Sequence, residues 1–213
     1  MRVREAQEPN SRYFDAEQNV ASRPVEYGID GPTGRIIVTS DSGVFSHGSL
    51  DKATALLLAH LRTVPDDFPE GDLVDVGCGA GPIALLLAAL FPGRHVWAVD
   101  SNKRAVDLCA SNAKANSLAN ITVCEPDGVP DGTRVALVCS NPPIRIGKDA
   151  LHELLSGWLG RLHPDGTALM VVGKNLGADS LQKWLTDNGW PTERIGSSKG
   201  FRLFRTSVRR AAD

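Results

Sequence analysis

At 213 residues, 42% hydrophobic and 23% charged, the chain suits one domain of ordinary size with enough apolar material to bury a core. A net charge of −2 argues against a surface coated in basic residues for general nucleic-acid binding, and the longest apolar stretch, after Pro82, falls short of a membrane span. Four scattered cysteines (Cys78, Cys109, Cys124, Cys139) and five histidines without ligand spacing give no reason to expect a metal site or a disulfide frame.

The first 22 residues are polar apart from Tyr13 and Phe14, and without a secretory apolar region at the N-terminus a cytoplasmic location is expected. Val25 to Ile29 and Arg35 to Ser40 predict two strands joined by the turn-rich Asp30 to Gly34. After the loop Gly43-Val-Phe-Ser-His-Gly48, Ser49 or Asp51 is placed to cap a helix ending near Leu61. Leu73 to Val76 reads as a buried strand that breaks into Gly77, Gly79 and Gly81, with Pro82 at a favoured first helical position. The helix that follows is apolar all round and should be buried.

Strand, glycine turn and helix make the first βα unit of a doubly wound sheet, whose ligands bind beyond the strand carboxyl ends. His95 to Asp100, Ile121 to Cys124, Val135 to Ser140 and Ala168 to Gly173 are further strands. The helices between them cover Lys103 to about Asn116, a stripe from Leu151 and Asp179 to Asn188. Thr192 to Ile195 and Phe201 to Thr206 close the chain as an antiparallel hairpin across Gly196 to Gly200. The expected fold class is α/β: a doubly wound, mostly parallel seven-stranded sheet with an antiparallel last strand. Residues 1–62 form a strand-pair and helix extension packed on a core of 63–213.

A nicotinamide or flavin site would favour G-x-G-x-x-G, but position 82 is proline and Asp75 stands two residues before the first glycine. A tight turn needing positive φ would account for one of the three glycines rather than all of them, so a ligand-binding loop is favoured over a structural turn. Asp100 ends the next strand, where a carboxylate can accept from ribose hydroxyls or cap the following helix. Asp127 lies in a Pro-Asp-Gly turn that attracts aspartate in any case. Asn141-Pro-Pro-Ile144 fixes two φ angles at a strand end and leaves the Pro142 carbonyl free of ladder duties. The asparagine oxygen and that carbonyl can then accept the two hydrogens of one planar amino group and orient its nitrogen. From Glu193 onward six basic residues (Arg194, Lys199, Arg202, Arg205, Arg209, Arg210) face two acids. A solvated tail and an RNA contact both stay open for that run.

Together, Gly43-Val-Phe-Ser46, Asp75-Val-Gly-Cys-Gly-Ala-Gly-Pro82, Ser140 to Lys148 and Lys199-Gly-Phe201 resemble the small-domain class I methyltransferases related to bacterial 16S rRNA guanine-N2 methyltransferases. The likeness runs from about Tyr13 to Ser207. It implies S-adenosyl-L-methionine as cofactor, with Asp75, Gly77, Cys78, Gly79, Gly81, Asp100, Ser101, Asp127 and Asn141 binding it, and the glycines letting backbone amides approach its methionine part. Asp75 would face the cofactor's ammonium group and Asp127 its adenine. Asn141, Pro142, Pro143 and Ile144 would form the catalytic segment; Phe45, Arg145, Lys148 and Arg205 would meet RNA, in an rRNA or an assembled small subunit. Some family members place Phe or Tyr where this chain has Ile144, so either Phe45, Tyr13 or Phe14 supplies the face that stacks on the target base or the substrate differs. Methylation of a protein glutamine amide or other planar nitrogen, and a non-catalytic RNA-docking or cofactor-binding module, are the alternatives. Neither a membrane nor a metal is expected as partner, and the sequence sets no oligomeric state.

Overall fold

Short β-branched runs alternate with amphipathic helices along most of the chain, and in the computed structural model, which describes residues 21–46 and 48–208, they build a layered α/β fold. An antiparallel pair comes first, β1 (Val25–Asp30) and β2 (Arg35–Ser40), then α1 (Lys52–Leu61). β3 (Asp72–Val76), α2 (Pro82–Leu90), β4 (Val96–Val99), α3 (Lys103–Ala115) and β5 (Ile121–Cys124) make the first half of the main sheet. β6 (Val135–Ser140), α4 (Lys148–Leu159), β7 (Leu162–Gly173), α5 (Ala178–Asp187), β8 (Thr192–Ser198) and β9 (Phe201–Ser207) make the second.

The seven-stranded sheet runs β5-β4-β3-β6-β7-β9-β8, with β9 antiparallel to both its neighbours. From β3 the chain steps outward to β4 and β5, then returns to lay β6 on the other side of β3. That reversal opens a crevice between the carboxyl ends of β3 and β6, and Val76 and Ser140 are register partners there. The glycine turn and Asn141, 60-odd positions apart in sequence, therefore leave the sheet side by side.

One apolar layer joins β1, β2 and helices α1 to α3 to one sheet face; the other is built by α4 and α5, including Leu151, Leu155, Leu181 and Leu185. β6 is buried at all six positions, as expected for a parallel strand covered on both faces. The strand pair is fastened to α3 by two asparagines one helical turn apart. Asn116 accepts from Ile37 N (2.9 Å) and donates to Ile37 O (2.7 Å), and Asn112 repeats the pattern on Thr39 (3.0 and 2.8 Å). A helical i, i+4 step of about 6 Å nearly matches two strand residues at about 6.6 Å, so the side-chain amides imitate a neighbouring strand along β2's outer edge.

Two strand boundaries move by three residues or more from the sequence reading. β7 begins at Leu162 rather than Ala168, passing through Pro164-Asp165-Gly166 at a register shift opposite Val135. Gly166 makes this possible: a Cβ there would come within 3.0 Å of Val135 O. β8 continues to Ser198, so the final hairpin turns on Lys199 and Gly200 alone, at φ 48° and 85°. Both residues at positive φ is the two-residue turn that suits strand twist.

Candidate functional site

The site begins where β3 stops. Gly77, Gly79 and Gly81 sit at φ 76°, 55° and 90°. All three therefore need left-handed freedom, and turn geometry accounts for more of them than the sequence reading allowed. Only Gly81 is forced by packing, since a Cβ there would lie 2.4 Å from Cys109 Sγ. Over Gly77 and Gly79 the nearest atoms to such a Cβ are Pro143 Cδ at 3.9 Å and Val44 Cγ1 at 3.8 Å. A Cβ at either of those two would make only ordinary van der Waals contact, and both glycines line the cleft.

Four of the loop's amides bond within the fold. Gly77 N and Cys78 N donate to Val99 O (2.8 and 3.0 Å), Gly81 N to Cys78 O (2.9 Å) and Gly79 N to Asp100 Oδ2 (2.9 Å). The amides at 77, 78, 79 and 81 are thus engaged within the fold, and Gly77 and Gly79 present bare main chain to the cleft. Asp75 lies beneath the turn, fully buried, its Oδ2 accepting from Ala84 N (3.0 Å) in the first turn of α2. Asp75 thus also secures the start of α2. Its Oδ1 is buried without a hydrogen-bond partner among the described residues. Burial pushes the Asp75 carboxyl up to about 8, opposed by the Ala84 bond and reinforced by the charge of Asp100.

Asp100 ties the loop to the next helix, because its Oδ1 accepts from Asn102 N (2.9 Å) while Oδ2 holds Gly79. Burial raises it despite backbone donors from Asn102, Gly79 and Ser101. Asn102, rather than Asp100, caps α3, accepting from Arg104 N (3.0 Å), and its amide donates to Gly43 O (3.0 Å). Arg104 in turn meets Asp41 at 2.7 Å. Burial alone would raise Asp41, but Arg104 and donors from Arg23, Ser22 and Ser42 hold it well below the usual carboxylate range. The 41–46 segment, carrying half-exposed Phe45, is thereby clamped over the glycine turn.

Across the crevice, Asn141 Nδ2 donates to Asp51 Oδ2 and to Thr54 Oγ1, both at 3.1 Å. Asp51 caps α1 through Thr54 N (2.9 Å). Pro142 O accepts from Ile144 N (2.8 Å), so the carbonyl expected to be free has one lone pair engaged and one remaining. Ile144 packs against the second apolar layer, and Arg145 and Lys148 are exposed beside it. Tyr27, Phe45, Asp51, Thr54, the glycine turn and Asn141 line one cleft. Burial, then the Asp51 charge, pushes the Tyr27 phenol up to about 12, so it stays protonated as a donor.

Sequence reasoning missed Tyr27, Thr54 and the part Asp51 plays beyond capping. Only the cap was visible, because Asp51 reaches a residue 90 positions away. Asp127 and Ser101 are exposed and do not line this cleft. Arg205 pairs with Glu193 at 2.6 Å on the neighbouring strand, and Arg202 with Asp179 at 3.1 Å. The basic C-terminal strand is therefore partly neutralised by its neighbours. Tyr13, Phe14, Arg209 and Arg210 lie outside the described residues. Among the described residues no His, Cys, Asp and Glu cluster could hold a metal ion, and no helix is long and apolar enough to cross a membrane.

Comparison with known proteins bears on this geometry. A family model described as the methyltransferase small domain matches residues 35–205. YbxB of Bacillus subtilis, an uncharacterized protein, is 30% identical over 199 residues, covering 92% of this chain and 98% of its own. Ribosomal RNA small subunit methyltransferase C of Pseudomonas putida GB-1 is 40% identical over 183 residues, covering 84% of this chain but 52% of its own. The chain thus spans about half the length of the relatives so named. Among solved structures, the T. thermophilus 16S rRNA N2 G1207 methyltransferase (RsmC), in complex with AdoMet and guanosine, superposes with a TM-score of 0.76 at 22% identity, over 89% of this chain and 52% of that one.

Proposed function

Since the chain belongs to the methyltransferase small-domain family, we propose that it transfers a methyl group from S-adenosyl-L-methionine to the exocyclic amine of a guanine in RNA, with small-subunit rRNA as the substrate. The observation that carries this reading is the placement of Asn141-Pro142-Pro143 across the crevice from the glycine turn, at the register partners Ser140 and Val76. The likeness to rRNA methyltransferase C chains, and to a fold solved with AdoMet and guanosine, supports the choice of cofactor and base.

The residues present fit the cofactor. Gly77 and Gly79 line the cleft with main chain alone, where any side chain would take up room, and the buried, unpartnered Asp75 Oδ1 is suited to a cationic neighbour. Asp100, at the end of β4, has lone pairs left for ribose hydroxyls after accepting from Gly79 and Asn102. When bound, the cofactor supplies an electrophilic methyl on a sulfonium. Asn141 Oδ1 and the remaining lone pair of Pro142 O accept from the target amine, orient its lone pair and stabilise the positive charge that grows on nitrogen. Exposed Arg145 and Lys148 beside this segment suit phosphate contacts, which fix position without reading sequence. In this reading the segment 1–62 belongs to the catalytic apparatus, since its described part brings Tyr27, Asp51 and Thr54 to the cleft.

The test is Asn141→Ala, assayed with labelled cofactor and small-subunit rRNA. Turnover should fall a hundredfold or more, roughly the loss expected for removing a group aimed at the reacting atoms, with cofactor affinity within a few fold. Near wild-type turnover would reduce Asn141 to a turn residue.

A further inference from the structure

We infer that Asp51 and Thr54 are positioning residues that fix which end of the Asn141 amide faces the substrate; the inference rests on the proposed transfer to an amine. An asparagine amide presents either an acceptor or a donor, and rotating its terminal torsion by half a turn exchanges the two. In a site that must accept from an amino group, the wrong orientation presents donor to donor.

The structure removes that ambiguity chemically. Asp51 Oδ2 meets Asn141 Nδ2 at 3.1 Å, and a carboxylate offers acceptors alone, so the flipped amide would set oxygen against oxygen. The second amide hydrogen is directed at Thr54 Oγ1, also at 3.1 Å. Thr54's own hydroxyl leans toward Asp51 Oδ2 (3.4 Å), leaving its lone pairs for Asn141. With both amide hydrogens engaged on the α1 side, Oδ1 has no hydrogen-bond partner among the described residues and is not sealed from solvent, so it is available on the cleft.

The mount is stiff. Asp51 is the N-cap of α1, its Oδ2 accepting from Thr54 N at 2.9 Å, and α1 buries Leu57, Leu58 and Leu61. The orientation of Asn141 is therefore set by the start of a packed helix rather than by its own loop. Asp51 also places negative charge behind the amide, which polarises Oδ1 and strengthens it toward a nitrogen gaining positive charge.

Asp51→Asn separates this role from capping, because asparagine caps as well as aspartate. With an amide at position 51 either orientation of Asn141 finds a partner. The variant should keep its thermal stability and cofactor affinity, and its KM for rRNA, while kcat falls tenfold or more. Thr54→Val, of similar shape but without the acceptor, should lose kcat in the same way, and Thr54→Ser should restore most of it. A readout independent of turnover is the Asn141 side-chain amide pair in a nitrogen-15 spectrum of the unliganded protein, identified by its disappearance in Asn141→Ala. Both hydrogens should be protected from exchange with water in the wild type and lose protection in Asp51→Asn. Unprotected hydrogens in the wild type, or a folded Asp51→Asn variant with kcat within twofold of wild type, would overturn the inference. Protected hydrogens in a wild-type protein inert on rRNA would support the anchoring of Asn141 and overturn the functional reading instead.

Discussion

Asp75 should make the unliganded protein less stable as pH rises, and Asp75→Asn should remove that dependence. The carboxyl is fully buried, one oxygen bonded to Ala84 N and the other without a partner, and burial lifts it from 3.8 to about 8. Between those two values the folded chain holds a proton that the unfolded chain has lost. Stability from this group is thus complete below the unfolded value and is lost as pH climbs through the folded one. Each pH unit in the window corresponds to about 1.4 kcal/mol at most. From pH 6 to pH 8 the wild type should therefore lose about 2 to 3 kcal/mol relative to Asp75→Asn, whose neutral amide mimics the protonated acid. The assay is urea unfolding of both proteins without cofactor at pH 6, 7 and 8, compared at equal m-value so that other titrating groups cancel. A constant difference across that range would show that Asp75 is ionised in the fold, and the argument from its burial would fail.

Asp100→Asn keeps an acceptor for Gly79 or Asn102 while removing the charge, so it tests the ribose contact with less damage to the loop than truncation. Calorimetry should show cofactor affinity weakened about tenfold to a hundredfold, the worth of hydrogen bonds to a charged acceptor, and unchanged affinity in a folded variant would take Asp100 out of the site. Neutralising Arg145 and Lys148 together should weaken RNA binding and reduce its log–log salt slope by about 1.4 to 1.8, with cofactor affinity untouched. An unaltered slope would make these two side chains merely solvated.

Most of the sheet was legible because its strands are short apolar runs set between amphipathic helices, and most glycine or proline breaks sit at real boundaries. β7 was misjudged because Pro164-Asp165-Gly166 has turn composition, while the structure carries the strand through it at a register shift. The glycine-turn side of the cleft could be read because it is local: Asp75, the three glycines and Pro82 lie within eight consecutive positions. The other half could not. Asn141 takes its orientation from Asp51 and Thr54, and Asn112 and Asn116 dock β2, in each case through side chains more than 70 positions apart. Such contacts leave no periodicity behind. The pairing of Arg205 was equally hidden, since a local excess of basic residues says nothing about Glu193 on the adjoining strand.

Transfer of a methyl group to the exocyclic amine of an rRNA guanine can be measured directly. The most direct measurement incubates the purified protein with labelled S-adenosylmethionine and small-subunit rRNA, free or in assembled subunits, and identifies the modified nucleoside by mass spectrometry after digestion. The account predicts label in N2-methylguanosine at a defined position, absent with Asn141→Ala. Label in a protein glutamine, in another base, or in no product with either form of the substrate would contradict it.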